Sequence, residues 1–485
     1  MPRKQAFIAT LTIIILAAFL AVVTGKYYAQ THPAVSPDLT ALRIALGNER
    51  RDVASDIGAR NQSDQGQEID ELDYTFEKVR DNYYKPVDNA SLLNGERTGL
   101  VAFLKAKHVV ASLPSAAQAL HGGTDDEAAA NELLTDAFSS YGGRFSTGDL
   151  TYAAMQGMLG ALNDPYTEAL TPRDMRALTE LMRGGDFGGI GVYIGNDPKT
   201  KRIIVLQPIP GTPAYRAGLR AGDVIESVDG HDTKGLDLDF AMGLIRGKAG
   251  STVRLVIERK NAKQTVSVVR QVIIVPSVSY RMIRGDIGYV QLVDFGDRSA
   301  RELSDALNAL LRQGAKAIVL DLRNNGGGLL QAAVDISSKF VPDGPIVSTI
   351  DRRGQVETAD ANQDSIPPRP LVVLVNQFSA SASEITAGAI QDSKAGVLIG
   401  TKTFGKGVVQ TIYDLPDGGA VKITTARYVT PAGRDINKKG IAPNISVRMD
   451  PRVVGEDLSD RLRGKDVQLI AALNYLNKEL ASNTK

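Results

Sequence analysis

After Pro276 the chain repeats one texture: a short, nearly unbroken apolar run, a turn, then an amphipathic stretch. The runs are "IGYVQLVDF", "AIVLDLR", "PLVVLVN" and "AGVLIG", and "RSARELSDALNALLRQG" between the first two has apolar residues at helical spacing. A strand with no polar alternation is buried on both faces, and strands that alternate with helices build a largely parallel sheet. Everything after Pro276 is therefore expected to be an α/β core, closed by a last amphipathic helix over "DVQLIAALNYLNKEL".

The region before it differs. From Gly188 the pattern is short β-rich runs separated by turn signals, as in "GGIGVYIG", "STVRLVIER" and "QTVSVVRQVII". Earlier still, "IDELDYTFEKVRDNYY" (69–84) reads as an amphipathic helix stopped by Pro86, and "TPRDMRALTELMRG" opens a helix on a proline. Asn89 to Thr147 reads as less regular. A weak echo flanks it: Leu92, Gly99, Leu100 and Leu104 have counterparts in Leu150, Gly157, Met158 and Leu162. Two similar helices packed side by side, or chance, would both account for that. The N-terminus is basic, and Ala6 to Val23 is an uncharged run of 18 residues, long enough to cross a bilayer. It reads as a signal anchor or a cleaved signal peptide; either exports the rest of the chain.

Composition excludes several chemistries. The formal charge of +1 gives no basic footprint for nucleic acid. With no cysteine there is no disulfide, no thiolate nucleophile and no Cys-based zinc site. The four histidines are His32, His108, His121 and His231, so none lies in the α/β core, and a Ser-His-Asp triad cannot form there within one chain. "GTKTFGKG" (400–407) imitates a phosphate-binding loop, but it lacks the terminal Ser or Thr and runs into strand-like "VVQTIYDL".

Three stretches are left as candidates. In "VNQFSASASEITAGAIQD", Ser381 sits between an apolar strand and a helix, with small neighbours on both sides. A serine there is ordinarily a helix cap; it is also where a strand–nucleophile–helix turn exposes a hydroxyl, with the N–H of Ala382 free to face an anion. Lys406 lies between two glycines in apolar surroundings. It is either a solvated turn residue or a lysine dry enough to be a neutral base. Gln410, four residues on, would be roughly 13 Å away along a straight strand and could meet Lys406 only if Gly407 bends the chain. "DLRNNGGG" (321–328) is either a tight turn or a bare backbone that lets N–H groups approach a ligand.

Taken together and in order, "NDPYTEALTP", "GGIGV", "GLRAGDVIESVDG", "LDLRNNGGG", "SASASEITAGAIQD", "GTKTFGKGVVQ" and "GRDINKKGIAPNI" resemble the C-terminal processing peptidases, from about residue 69 onward. The resemblance implies a multidomain α+β protein. Its parts would be a signal segment (1–30), a stalk (31–68), a helical region (69–184) with an insertion at about 89–147, a PDZ domain (185–272; a partly open β-barrel with helices), a ClpP/crotonase-like α/β core (273–450) and a helical tail (451–485). It implies a serine endopeptidase with a Ser381/Lys406 dyad, Gln410 orienting Lys406, and oxyanion donors at Ala382 and, among glycines 326–328, Gly327. Glu384 falls at a recurrent family position with a supporting role. The loop Gly188, Gly189, Ile190, Gly191 and Val192 would bind a peptide carboxylate. No metal or cofactor is implied. The implied partners are protein or peptide substrates with exposed apolar C-termini, a membrane at the N-terminal helix, a homo-oligomer and room for a regulatory protein, in an extracytoplasmic setting such as the periplasm. A PDZ-bearing adaptor with a silent core, and an acyl-thioester enzyme on the same kind of fold, are the competing expectations. The insertion is where the sequence departs from the family pattern.

Overall fold

The computed structural model describes residues 65–113, 125–182, 187–197, 200, 202–209, 211–236, 238–273, 276–449 and 466–482. The apolar run at 6–23 and the linker after it lie outside these. Among the described residues no helix is long and apolar enough to cross a membrane. The chain divides into two compact units. One comprises the residues up to Met182 and from Ser277 on; the other is Arg183–Pro276.

The first unit opens with four helices: α1 (Gln65–Asn82), α2 (Asn89–Ala106), α3 (Asp125–Tyr141) and α4 (Thr147–Gly160). The stretch read as irregular is thus mostly helical. Leu72 and Phe76 of α1, Leu100 of α2, Leu134 of α3 and Met158 of α4 share one core. The echo between residues 92–104 and 150–162 is a real packing relationship. Gly99 and Gly157 face each other so closely that a Cβ on either would lie 2.6 or 2.5 Å from the other's Cα. A constant offset of 58 residues, from Asp88 to Ser146 and from Gly99 to Gly157, carries α1–α2 onto α3–α4. Asp88 and Ser146 are the two N-caps, each accepting a backbone N–H from three residues on. The insertion is therefore a second helical hairpin. One amphipathic hairpin cannot bury its own apolar face, and the repeat supplies the missing half.

A loop leads from α4 to β1 (Glu168–Leu170) and α5 (Pro172–Met182), which begins on the expected proline. The second unit follows, with β2 (Phe187–Gly189), β3 (Val192–Asn196), β4 (Ile203–Pro208), α6 (Pro213–Arg216), β5 (Val224–Val228), β6 (His231–Asp232), α7 (Leu238–Ile245), β7 (Thr252–Arg259), β8 (Ala262–Val269) and β9 (Gln271–Ile273). Its main sheet runs β3-β4-β5-β7-β8, so β3 is an edge strand. Ile190, Val205, Ile225, Ala241, Leu255 and Val268 form its own core.

The chain then returns through β10 (Val278–Ile283), β11 (Ile287–Leu292), α8 (Ser299–Arg312), β12 (Ala317–Asp321), α9 (Leu330–Ser338), β13 (Pro345–Asp351), β14 (Val356–Asp360), β15 (Leu371–Val375), α10 (Ala382–Asp392), β16 (Val397–Gly400), β17 (Val408–Asp414), β18 (Ala420–Val429), β19 (Ile445–Ser446) and α11 (Val467–Ser482). One sheet runs β10-β11-β12-β15-β16-β19 and is parallel except for β10. Both its faces are covered, as the unbroken apolar runs require. Along β12, Ile318 and Leu320 join the core with α8, α9 and α10, while Ala317 and Val319 pack with Leu469, Ala472, Leu473 and Leu476 of α11. A second, antiparallel sheet is built from β1, β18, β13, β14 and β17. β18 also lends Val421 and Ile423 to the helical core, which joins the four helices to this unit.

Candidate active site

β15 is buried at every residue and delivers the chain to Asn376 at the carboxyl edge of the sheet. There the "DLRNN" and "SASAS" stretches interlock. The Asn376 carboxamide accepts from Asn324 N–H at 3.0 Å and donates to Asn324 Oδ1 at 2.8 Å. Ser379 Oγ donates to Leu322 O at 2.7 Å, Ser383 Oγ donates to Asn325 O at 2.9 Å, and Ala380 N–H donates to Asn325 O at 3.1 Å. The outer serines thus do more than stay small. They satisfy buried carbonyls of the neighbouring loop, which would otherwise be costly to bury.

Ser381 is at the sharpest point, immediately before α10. Its φ is +56° and its ψ −117°, a left-handed torsion that a residue with a Cβ seldom adopts. Gly327 (φ +104°) presses on it: a Cβ there would stand 2.7 Å from Ala380 O, 2.8 Å from Ser381 Cβ and 2.9 Å from Ala382 N. Only glycine fits. Gly327 N–H donates to Asn325 Oδ1 at 2.9 Å. The N–H groups of Ala382, Gly326 and Gly328 have no acceptor among the described residues.

Glu384 is the staple of the site. It is fully buried. Its Oε2 accepts from Ser381 N–H at 3.1 Å and from Lys406 N–H at 2.9 Å, so the two backbones converge on one oxygen. Its Oε1 accepts from Thr403 Oγ1 at 2.5 Å and Gly405 N–H at 2.8 Å. Burial pushes the Glu384 carboxyl up to about 7, against the hydrogen bonds that favour its charged form. A second bridge is Tyr428, whose hydroxyl donates to both Ser381 O (3.2 Å) and Lys406 O.

Lys406 is 1% exposed, and its amine has no hydrogen-bond partner. Burial, aided by Lys422, holds it well below the usual lysine range, opposed by Asp164, Glu384 and Glu168. It stands over the ring of Tyr166, 4.5 Å from the centroid. Neither Ser381 Oγ nor Gln410 is hydrogen-bonded to this amine. Gln410 is buried, lies next to a bulge in β17, and donates to Thr424 Oγ1 at 3.4 Å. The stretch between the glycines of "GTKTFGKG" is a loop that enters a strand, as expected of a false phosphate loop.

Of the sequence-derived candidates, the structure brings Ser381, Ala382, Glu384, Gly327 and Lys406 to one place. Tyr166 and Tyr428 were not singled out as site residues. Tyr166 lies in "NDPYTEALTP", whose order was visible though its contact was not. In the other unit, the loop before β3 has Ile190 buried in the core, and Gly191 (φ +74°) has its carbonyl fixed by Thr212 Oγ1 at 2.9 Å. The N–H groups of Ile190 and Gly191 have no acceptor among the described residues.

A turn that presents a serine from strand to helix, beside a dry lysine and in a core without histidine, defines a serine hydrolase with an unconventional base. Comparison with known proteins agrees. Residues 286–447 match peptidase family S41, and residues 204–259 match a PDZ domain. The carboxyl-terminal-processing protease of Picosynechococcus is 40% identical over 69% of this chain and 81% of that one. The chloroplastic C-terminal processing peptidase of Tetradesmus obliquus is 40% identical over 65% of this chain and 72% of that one. A solved photosystem II D1 C-terminal processing protease is 33% identical, covering 82% of this chain and 97% of that one, with a TM-score of 0.48. The chain belongs to peptidase family S41: it is a serine-type peptidase that carries a PDZ domain.

Proposed function

We propose that this protein is an extracytoplasmic endopeptidase that captures the C-terminus of a protein substrate in its PDZ domain and cleaves near that end with a Ser381/Lys406 dyad. The observation that carries it is the Lys406 amine: buried, without a hydrogen-bond partner, on a backbone that shares one Glu384 oxygen with the backbone of Ser381. A lysine so placed is a base rather than a charge.

The neutral amine takes the proton of Ser381 as Oγ attacks the scissile carbonyl. The tetrahedral oxyanion is met by Ala382 N–H and by a glycine N–H of the 326–328 turn. Gly327 serves by exchanging its Asn325 acceptor for the oxyanion. Each such donor is worth roughly 3–4 kcal/mol in the transition state. Lys406 passes its proton to the leaving amine, and water then releases the acyl group from Ser381. Gln410 comes to orient Lys406 when substrate draws the two together, since they are not bonded at rest. In the PDZ domain, the free N–H groups of Ile190 and Gly191 suit a terminal carboxylate, and the edge strand β3 suits an added peptide strand. Export and membrane attachment rest on the apolar run at 6–23.

The test is cleavage of an unfolded protein with an apolar tail. Ser381→Ala and Lys406→Ala should each lose at least ~10²–10⁴-fold in kcat. Either variant cutting at the wild-type rate ends the dyad reading. Wild-type binding of the tail by a Ser381→Ala protein that loses it on removal of the tail's carboxylate supports the capture step; unchanged binding overturns it.

A further inference from the structure

The loop between α4 and β1 is built to hold one ring in one place. Asp164 folds it into a turn, accepting from Tyr166 N–H at 3.0 Å and Thr167 Oγ1 at 2.8 Å. Thr167 Oγ1 in turn accepts from Thr424 N–H at 3.0 Å, and Glu168 pairs with Lys422 across the β1–β18 ladder. The loop is thereby fastened to β18 on both sides of Tyr166. Its ring, itself half-buried, faces the Lys406 amine at 4.5 Å.

We propose that Tyr166 is a positioning residue for Lys406: its ring closes the lysine's chamber against water and takes one amine N–H on its face, leaving the nitrogen lone pair for the proton of Ser381. This deepens the dyad reading and rests on it. The ring is the only partner the structure gives this amine, since no oxygen or nitrogen is within hydrogen-bonding reach. The charged and titratable groups that also act on it are Lys422 on β18, Asp164 and Glu168 on the loop and β1, and Glu384 on α10. Lys422 is paired with Glu168, and Glu384 is committed to backbone N–H groups, so none of them shields the amine from solvent. Two influences of the ring oppose each other. Its face attracts an ammonium ion, which favours protonation, while its bulk keeps water out, which disfavours it. Burial is the largest influence on Lys406, so exclusion of water prevails.

The test is the pH profile of kcat and KM for Tyr166→Phe and Tyr166→Ala in the full chain. Tyr166→Phe keeps the ring and should stay within about twofold of wild type at every pH. Tyr166→Ala admits water, so its acid limb should move up by about one pH unit. That is about a tenfold loss of kcat below the limb, with recovery at high pH and little change in KM. A loss of kcat that is the same at all pH values, or an equal loss in Tyr166→Phe, overturns the proposal. A second readout needs no turnover: in the Ser381→Ala protein, the pH dependence of Lys406 acetylation by acetic anhydride, read by mass spectrometry, should shift upward with Tyr166→Ala. An unshifted midpoint overturns the proposal. Full activity of Lys406→Ala would instead sink the dyad itself, and the acetylation midpoint would still report on Tyr166.

Discussion

Glu384 shows how much one buried side chain organises. Its four hydrogen bonds tie the nucleophile's backbone to the lysine's, yet burial raises its carboxyl from 4.5 to about 7. The sign follows from proton linkage. Between pH 4.5 and 7 the folded chain binds this proton more tightly than the unfolded one, so the group's contribution to stability is fully present below pH 4.5 and declines as pH rises to about 7. The change is on the order of 3 kcal/mol. Urea melts of wild type and Glu384→Gln across this range check it: the variant should lose that decline, and an identical slope would be inconsistent with it. The same proton sits beside Lys406, so the acid limb of activity belongs to the two groups jointly. Ser381 and Lys406 were legible in the sequence because the missing histidines forced the question of a base. Tyr166 and Tyr428 were not, because their roles depend on contacts with residues more than 40 positions away.

At the scale of elements, helices α2 and α4 are held apart by no side chain at Gly99 and Gly157. A Cβ at Gly99 would lie 2.1 Å from Ala153 O, which no rotamer change relieves. Gly99→Ala should therefore destabilise by roughly 1–3 kcal/mol, as over-packing does. Gly160→Ala is the control: it ends α4 with open space around it and should be neutral or gain up to about 1 kcal/mol. Thermal melts of the two variants decide it; equal effects would mean the crossing is looser than described. The parallel strands were readable because burial on both faces leaves unbroken apolar runs. The helical insertion was harder to read. Asp125–Tyr141 is alanine-rich, so its periodicity is weak, and only the pairing with its counterpart makes the pattern meaningful.

For the whole molecule, the C-terminal helix is structural rather than ornamental. Arg323, two residues past β12, is buried and pairs with Asp321 at 2.6 Å and with Asp466 at 2.8 Å. Tyr289 Oη also donates to Asp321 at 2.7 Å. Burial alone would raise the Asp321 carboxyl, but Arg323 outweighs it and holds it low. Asp466→Ala strips one partner from a buried guanidinium and should cost about 3–5 kcal/mol. Denaturant unfolding reads this directly; a loss below about 1 kcal/mol would show that Asp321 suffices. By contrast, residues 183–276 have a core of their own and should unfold cooperatively as an isolated fragment, checked by calorimetry.

The repeated hairpins also divide their labour. The offset that superposes them places His108, just past α2, where the second hairpin has Tyr166. One copy runs on into the loop that reaches the lysine. The other ends in exposed chain and answers only for packing. The two halves of the bundle are thus alike in architecture and unlike in tolerance: drift at the end of the first is free, while the same drift at the end of the second is felt at the active site.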